Sequence, residues 1–297
     1  MSRRCGFVAI VGRPNVGKST LLNYLIGQKL SITSRKPQTT RDRVIGIHTT
    51  ADTQMVFVDT PGLHKAEGRA INRYMNREAL AALDGVDVVL MVVEAPKWTE
   101  DDENVLNAVR HADRPVILVM NKIDQLAAKN QLLPFIASVQ AKHAFRDIVP
   151  ISALKATQLD RLLECITPLL PESDFWYPED QITDRSERFL VAEIVREKIM
   201  RQLGEEIPYR IAVGIDRFMQ EGAITHIDAT IYVERSGQKA IVIGDKGQRL
   251  KQIGEDARAD IERLLDGRVM LGLWVKVRTG WSDDERILRS LGYDSRS

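Results

Sequence analysis

Gly12-Arg13-Pro14-Asn15-Val16-Gly17-Lys18-Ser19, followed by Thr20, fits the pattern G-x-x-x-x-G-K-[ST] without exception. The segment lies between a short apolar run, GFVAIV, and the helical pattern STLLNYLIG. Glycines let successive backbone N–H groups turn inward around an anion, and a helix N-terminus aims its positive end at the same place. That chemistry suits a phosphate chain: Lys18 reaches the β and γ phosphates, and the Ser19 hydroxyl ligates magnesium. A bland strand-to-helix turn is the alternative, and three further motifs argue against it.

Asp59-Thr60-Pro61-Gly62 closes the strand-like QMVFVD, where a carboxylate holds a magnesium-bound water and the Gly62 N–H meets the γ phosphate. Asn121-Lys122-Ile123-Asp124 closes RPVILVM. The Asp124 carboxylate accepts both the ring N–H and the exocyclic amine of guanine, while the Lys122 stem lies on the purine face. Adenine offers neither donor, so the ligand is GTP rather than ATP. Ser152-Ala153, after DIVPI, supplies backbone N–H groups to the guanine O6, with Leu154 the third residue of the set. Either NKID or ISA alone is an ordinary strand-end turn; their shared order is the signal.

Gln38-Thr39-Thr40-Arg41-Asp42 stands where a nucleotide-sensing loop belongs. Thr40, with Thr39 as the alternative, is the second protein ligand of magnesium, released on hydrolysis. Arg41 and Asp42 individually read as solvated loop residues. Leu63 follows DTPG where a water-orienting glutamine stands in Ras-like chains, so no catalytic residue is assigned, and His64 reads as a solvated loop residue. Asn15 is a candidate ligand for potassium near the β–γ bridge.

Strand-like runs alternate with helical patterns, the latter at STLLNYLIG, INRYMNREALAAL, DDENVLNAVRHA and TQLDRLLECITPLL. Continuous Val- and Ile-rich runs suit strands buried on both faces, so this half predicts a doubly wound, mostly parallel α/β sheet. VIGIHTT and MVFVD form a hairpin that adds one antiparallel strand. Prolines, acids and aromatics between 171 and 183 mark a linker, dividing a nucleotide domain over 1–170 from a second domain over 184–297. There RFLVAEIVREKIMRQL carries apolar residues at Leu190, Ile194, Val195, Ile199 and Leu203. YRIAVGIDRF, ITHIDATIYVER, KAIVIG, a helix from about 247 to 265, and VMLGLWVKVR then give the order α-β-β-α-β.

Gly244-Asp245-Lys246-Gly247 lies between the apolar KAIVIG, read as a strand, and that helix, with Arg249 and Lys251 close behind. Two glycines allow close approach of a sugar–phosphate backbone, and the basic residues neutralise it, as in a KH domain that binds single-stranded RNA. Bases and acids cancel in this half, which favours modest, strand-selective affinity over indiscriminate duplex binding. The tail reads as a closing helix capped at Ser282, with Ile287, Leu288 and Leu291 inward and Arg286 and Arg289 free to meet RNA.

The whole chain has 297 residues and a formal net charge of +1, so no global field recruits nucleic acid. Cys5 and Cys165 match no metal spacing and suit a reducing cytoplasm. The N-terminal apolar run is too short for a signal peptide, and nothing approaches the roughly 20 apolar residues of a membrane span.

GRPNVGKSTLLN, SITSRKPQTTRDRVIGIHT, DTPGLH, NKID, PISA, VIGDKGQRLKQIG and LWVKVRTGWSDDERILRSLGY together resemble the Era family of bacterial GTPases over nearly the full chain. The resemblance implies a GTP-hydrolysing assembly factor that binds the 3′ end of small-subunit ribosomal RNA through its KH domain. It also implies association with the small subunit and a loosely membrane-associated cytoplasmic pool; the chain shows no coiled coil and reads as a monomer. Leu154-Lys155-Ala156-Thr157 departs from the family's glycine after Ser-Ala. Two other readings compete: an RNA-binding protein that senses nucleotide with negligible turnover, and a signalling switch whose KH-like half binds protein.

Overall fold

The computed structural model describes residues 2–34, 36, 39–62, 70–203, 211–284, 286 and 288. Gln38, Leu63, His64, Ile287, Arg289 and Leu291 lie outside the described residues. The chain divides into two compact units, the first ending at Asp184; the second starts at Arg185 and also takes in the segment 32–39.

In the first unit the elements run β1 (Arg4–Val11), α1 (Lys18–Ile26), β2 (Val44–Thr49), β3 (Thr53–Asp59), α2 (Ala70–Ala81), β4 (Val88–Glu94), α3 (Glu100–Arg110), β5 (Val116–Asn121), α4 (Leu132–Gln140), β6 (Asp147–Pro150) and α5 (Leu159–Ile166). One sheet of order β2-β3-β1-β4-β5-β6 results, with only β2 antiparallel, as the hairpin predicts. Val88–Val93 and Val116–Asn121 are buried throughout, which is why these runs carry no polar alternation. Because β1 stands between β3 and β4, the loop after it opens at the point where the strand order reverses. Helix α4 has no counterpart in the sequence reading. Its Pro134 falls in the first turn, where a missing N–H costs nothing.

Residues 171–183 are stitched to this unit rather than left as a loose connector. The buried Gln54 accepts from the N–H groups of Trp176 (2.9 Å) and Tyr177 (3.0 Å) and donates to the Tyr177 carbonyl (2.9 Å). Further along, the Ile182 carbonyl accepts from Ile47 and the Thr183 hydroxyl donates to Ile45.

The second unit holds α6 (Glu187–Gln202), β7 (Ile211–Glu221), β8 (Ile224–Val233), α7 (Ser236–Ile243), α8 (Gln248–Leu265) and β9 (Arg268–Val277). Strands β7 and β8 are antiparallel, and β9 runs parallel to β8. Val191, Ile194, Val195 and Ile199 of α6 meet Ile227, Ile231, Val242, Ile253, Ala257 and Ile261 in one core. KAIVIG, read above as a strand, is helical, so the order becomes α-β-β-α-α-β. Its β-branched residues are overruled by local end signals and by tertiary packing. The Gln238 Oε1 accepts from the Glu234 and Arg235 N–H groups at the helix start, Val242 alone among its apolar residues is fully buried, and Gly244 ends the helix at φ +74°.

The tail cap is also reassigned. The Ser282 hydroxyl donates to Glu234, whereas Asp284 accepts from the Arg286 N–H (2.8 Å) and its carbonyl from Leu288, the bonding of a helix start.

Candidate nucleotide site and nucleic-acid interface

The loop from Gly12 to Gly17 wraps the head of α1, with Asn15 exposed at φ +65° and Val16 buried. A Cβ on Gly17, whose φ is +103°, would lie 2.3 Å from Asn121 Nδ2, so only glycine lets the phosphate loop close on β5. Asn121 in turn donates to the Val16 carbonyl (2.8 Å) and accepts from the Lys122 (2.8 Å) and Ala153 (2.9 Å) N–H groups. One amide therefore joins phosphate loop, base motif and the loop after β6.

Lys18 is 6 % exposed and donates to the carbonyls of Gly12 (2.9 Å) and Arg13 (3.1 Å). Burial pulls its pKa down to about 8, against the attraction of Asp59. Pro14 abuts Gly62, and the Thr60 hydroxyl is turned away to the Ile10 carbonyl (2.9 Å), so Thr60 braces β1 while buried Pro61 carries the chain past the loop. Thr20 is the third residue of α1. Arg13 points away from the phosphate position: its Nε donates to Asp102 (3.2 Å), the buried acid of the Thr99–Asp102 capping box on α3.

The proposed magnesium ligands converge. Ser19 Oγ lies 2.8 Å from Thr40 Oγ1 and donates to Asp59 Oδ2 at 2.8 Å. Asp59 is fully buried, and its Oδ1 has no hydrogen-bond partner among the described residues. Burial raises its pKa against the pull of Lys18 and Ser19. Two hydroxyls and an orphaned carboxylate oxygen, all hard donors, fit a divalent cation such as magnesium. Thr39, the alternative, stands outside this cluster: its hydroxyl donates to the Lys36 carbonyl (2.7 Å) and its own carbonyl accepts from Arg196 (2.5 Å). Arg41 and Asp42, read above as solvated, are 2 % and 8 % exposed, and Tyr74 of α2 donates to Asp42 at 2.7 Å. For Asp42 a phenol partner distant in sequence reverses that expectation.

At the base end, Ser152 Oγ donates to Asp124 Oδ1 at 2.5 Å, which orients the exposed carboxylate. The expected donors to O6 need correction. The Ser152 N–H is given to the Thr157 carbonyl (3.3 Å) and that of Ala153 to Asn121, whereas the Leu154 N–H donates to none of the described residues. Tyr24 of α1 holds the Leu154 carbonyl (2.9 Å). Ile123 packs into the core below, and Lys122 stands at φ +66°.

In the second unit, Gly244 and Gly247 both have positive φ (+74° and +80°), and between them Asp245 and Lys246 are exposed. The loop joins two helices, α7 and α8, rather than a strand and a helix. Arg249 is partly committed, its Nη1 donating to the Ile241 carbonyl at the end of α7 (2.6 Å). Exposed Lys251 lines a cleft of about 970 Å³ with Gly247, Leu250 and Gly254 on one side and Met270 and Leu273 on the other. Arg258 and Arg268, absent from the sequence reading, also line it. No local motif marks them, because the cleft is made by the docking of β9 against α8. Among the described residues no helix is long and apolar enough to cross a membrane.

Residues 7–122 match the family described as 50S ribosome-binding GTPase, and residues 206–282 match the KH domain. Over 290 residues the chain is 60 % identical to GTPase Era of Ectopseudomonas mendocina, covering 98 % of this chain and 97 % of that one. It is equally identical to GTPase Era of Pseudomonas aeruginosa, with 95 % of the relative covered. Two solved structures superpose with TM-scores of 0.95 at 43 % identity, each covering 98 % of this chain and 99 % of the other. One is a variant of Aquifex aeolicus Era bound to GDP and aluminium fluoride; the other is Era with MgGDPNP and nucleotides 1506–1542 of 16S ribosomal RNA.

The pKa of Lys18 generates a pH dependence. Bound phosphates favour the charged amine, so nucleotide binding takes up a proton wherever the free amine is neutral. Below about pH 7 the affinity for GDP is level; from pH 7 to pH 9 it falls about tenfold. Calorimetry in buffers of different ionisation heat checks both, and a flat affinity without proton uptake contradicts the assignment.

Proposed function

The chain belongs to the Era family of GTPases, and on that premise we propose that it couples its GTP cycle to binding the 3′ end of small-subunit ribosomal RNA during assembly of the small subunit. Its reaction is hydrolysis of GTP to GDP and phosphate. The observation that carries the reading is the convergence of Ser19, Thr40 and Asp59 beside a phosphate loop that Asn121 joins to the base motif, whose Asp124 carboxylate is oriented by Ser152.

Ser19 and Thr40 hold magnesium directly and Asp59 holds it through water. The ion neutralises charge on the β and γ phosphates as the bond to the γ phosphate breaks. Lys18 supplies a second positive charge from a site shielded from solvent, where it acts more strongly than in water. Asp124 selects guanine by accepting its two donors, and the Leu154 N–H meets O6. Asn15, exposed at the loop tip, is the residue that would hold potassium through its side-chain carbonyl oxygen, adding positive charge near the phosphates. Thr40 binds magnesium only when the γ phosphate completes the site, so hydrolysis releases the loop that carries it.

RNA lies across Gly244–Gly247, with its backbone near Lys246 and its bases in the cleft beyond Lys251. GTP raises the affinity for RNA, and by linkage RNA raises that for GTP by the same factor. The protein works in the cytoplasm as a monomer, with part of it held peripherally at the membrane.

Two measurements test this. Asp124→Asn replaces one acceptor oxygen by a donor, so the variant loses GTP affinity at least a hundredfold and gains xanthosine triphosphate, which presents an oxygen in place of the amine; undiminished GTP binding contradicts guanine recognition. Turnover of the full chain is faster in potassium than in sodium, and a single-stranded fragment of the 3′ end binds more tightly with a GTP analogue than with GDP. Equal rates in the two salts remove the Asn15 assignment, and nucleotide-independent RNA affinity removes the coupling.

A further inference from the structure

Glu94 ends β4, and its register partner on β5 is Asn121. Its side chain is 14 % exposed and fully engaged. Oε2 accepts from Lys122 Nζ at 2.7 Å and lies 3.6 Å from Arg13 Nη2, while Oε1 accepts from Lys97 at 2.9 Å. Arg13 belongs to the phosphate loop and is held from its other side by Asp102. One carboxylate thus faces a residue from each of the two motifs that enclose the nucleotide.

We infer that Glu94 is a positioning residue for nucleotide binding, holding the Lys122 stem against the purine and tying it to Arg13 of the phosphate loop. The inference rests on the purine lying over Lys122, as proposed above. Lys122 is a flexible four-carbon side chain whose rotamers must be frozen for its methylenes to cover a ring. A charge-assisted hydrogen bond at 2.7 Å does that before the nucleotide arrives. Burial alone would keep the Glu94 carboxyl protonated more readily, but the bonds from Lys122 and Lys97 hold its pKa at about 2, so the anchor is ionised at every working pH. Lys97 is 65 % exposed and binds the other oxygen, so it stabilises Glu94 without reaching the nucleotide motifs.

The test is a double-mutant cycle on the full chain, read as GDP and GTP dissociation constants. Glu94→Gln weakens both nucleotides about tenfold and by the same factor, because the γ phosphate is remote from Lys122. Lys122→Met weakens both, and adding Glu94→Gln to it costs nothing further. Lys97→Ala leaves both constants within about twofold. Additive losses in the double variant, a loss confined to GTP, or an unchanged constant in Glu94→Gln would each overturn the inference. Should Glu94→Gln fail to fold, Glu94→Asp, which withdraws the carboxylate by one methylene, is predicted to weaken both nucleotides several-fold, and wild-type affinity there overturns it equally. A shift to xanthosine nucleotides in Asp124→Asn tests the base assignment separately, so failure of Glu94 alone leaves that assignment standing.

Discussion

The closure of Gly17 onto the Asn121 amide is the contact on which the nucleotide site depends. A glycine without a Cβ lets the phosphate loop touch the end of β5, and the same amide holds the Val16 carbonyl and two N–H groups of the base-binding loops. Phosphate and base recognition come from segments more than a hundred residues apart in sequence. Their separation in space must match the length of a nucleotide, and a short, buried side chain with three hydrogen bonds sets that distance more rigidly than mobile loops could. The parallel sheet supplies the frame, since β1 and β5 flank β4 and end at the same rim.

Around that contact, acidic residues hold the basic ones that the site needs. Asp102 and Glu94 take Arg13, Glu94 takes Lys122, and Asp59 stands near Lys18. Lys18 and Lys122 are thus held in place in advance of a ligand, while Arg13 is turned toward its two acids. The cost is visible in the pKa values of Lys18 and Asp59, both moved by burial toward the neutral form.

The candidate nucleotide residues were legible because a phosphate loop imposes its needs locally: glycines, lysine and hydroxyl must be close in sequence as well as in space. Arg41, Asp42 and Glu94 were not legible in the same way. Asp42 is bound by Tyr74 and Glu94 is placed by the β4–β5 register, and neither partner is near in sequence. Helix α7 was misread because Ile241, Val242 and Ile243 favour a strand when taken alone. The deciding signals were Gln238 at the helix start and Gly244, at positive φ, at its end, so the GxxG turn joins two helices where a strand and a helix were expected. The assignment of a donor to O6 shifted for a third reason: which N–H is open depends on who else uses it, and Asn121 takes that of Ala153.

The most direct measurement of the central claim is GDP affinity of Asn121→Ala beside that of the parent, with urea unfolding of both. Losing three bonds that fix two loops weakens GDP by about two orders of magnitude, while the sheet, whose strands carry their own hydrogen bonds, still unfolds cooperatively. A variant that binds GDP within a few-fold of the parent would show that the two ends of the site are positioned by something other than this amide.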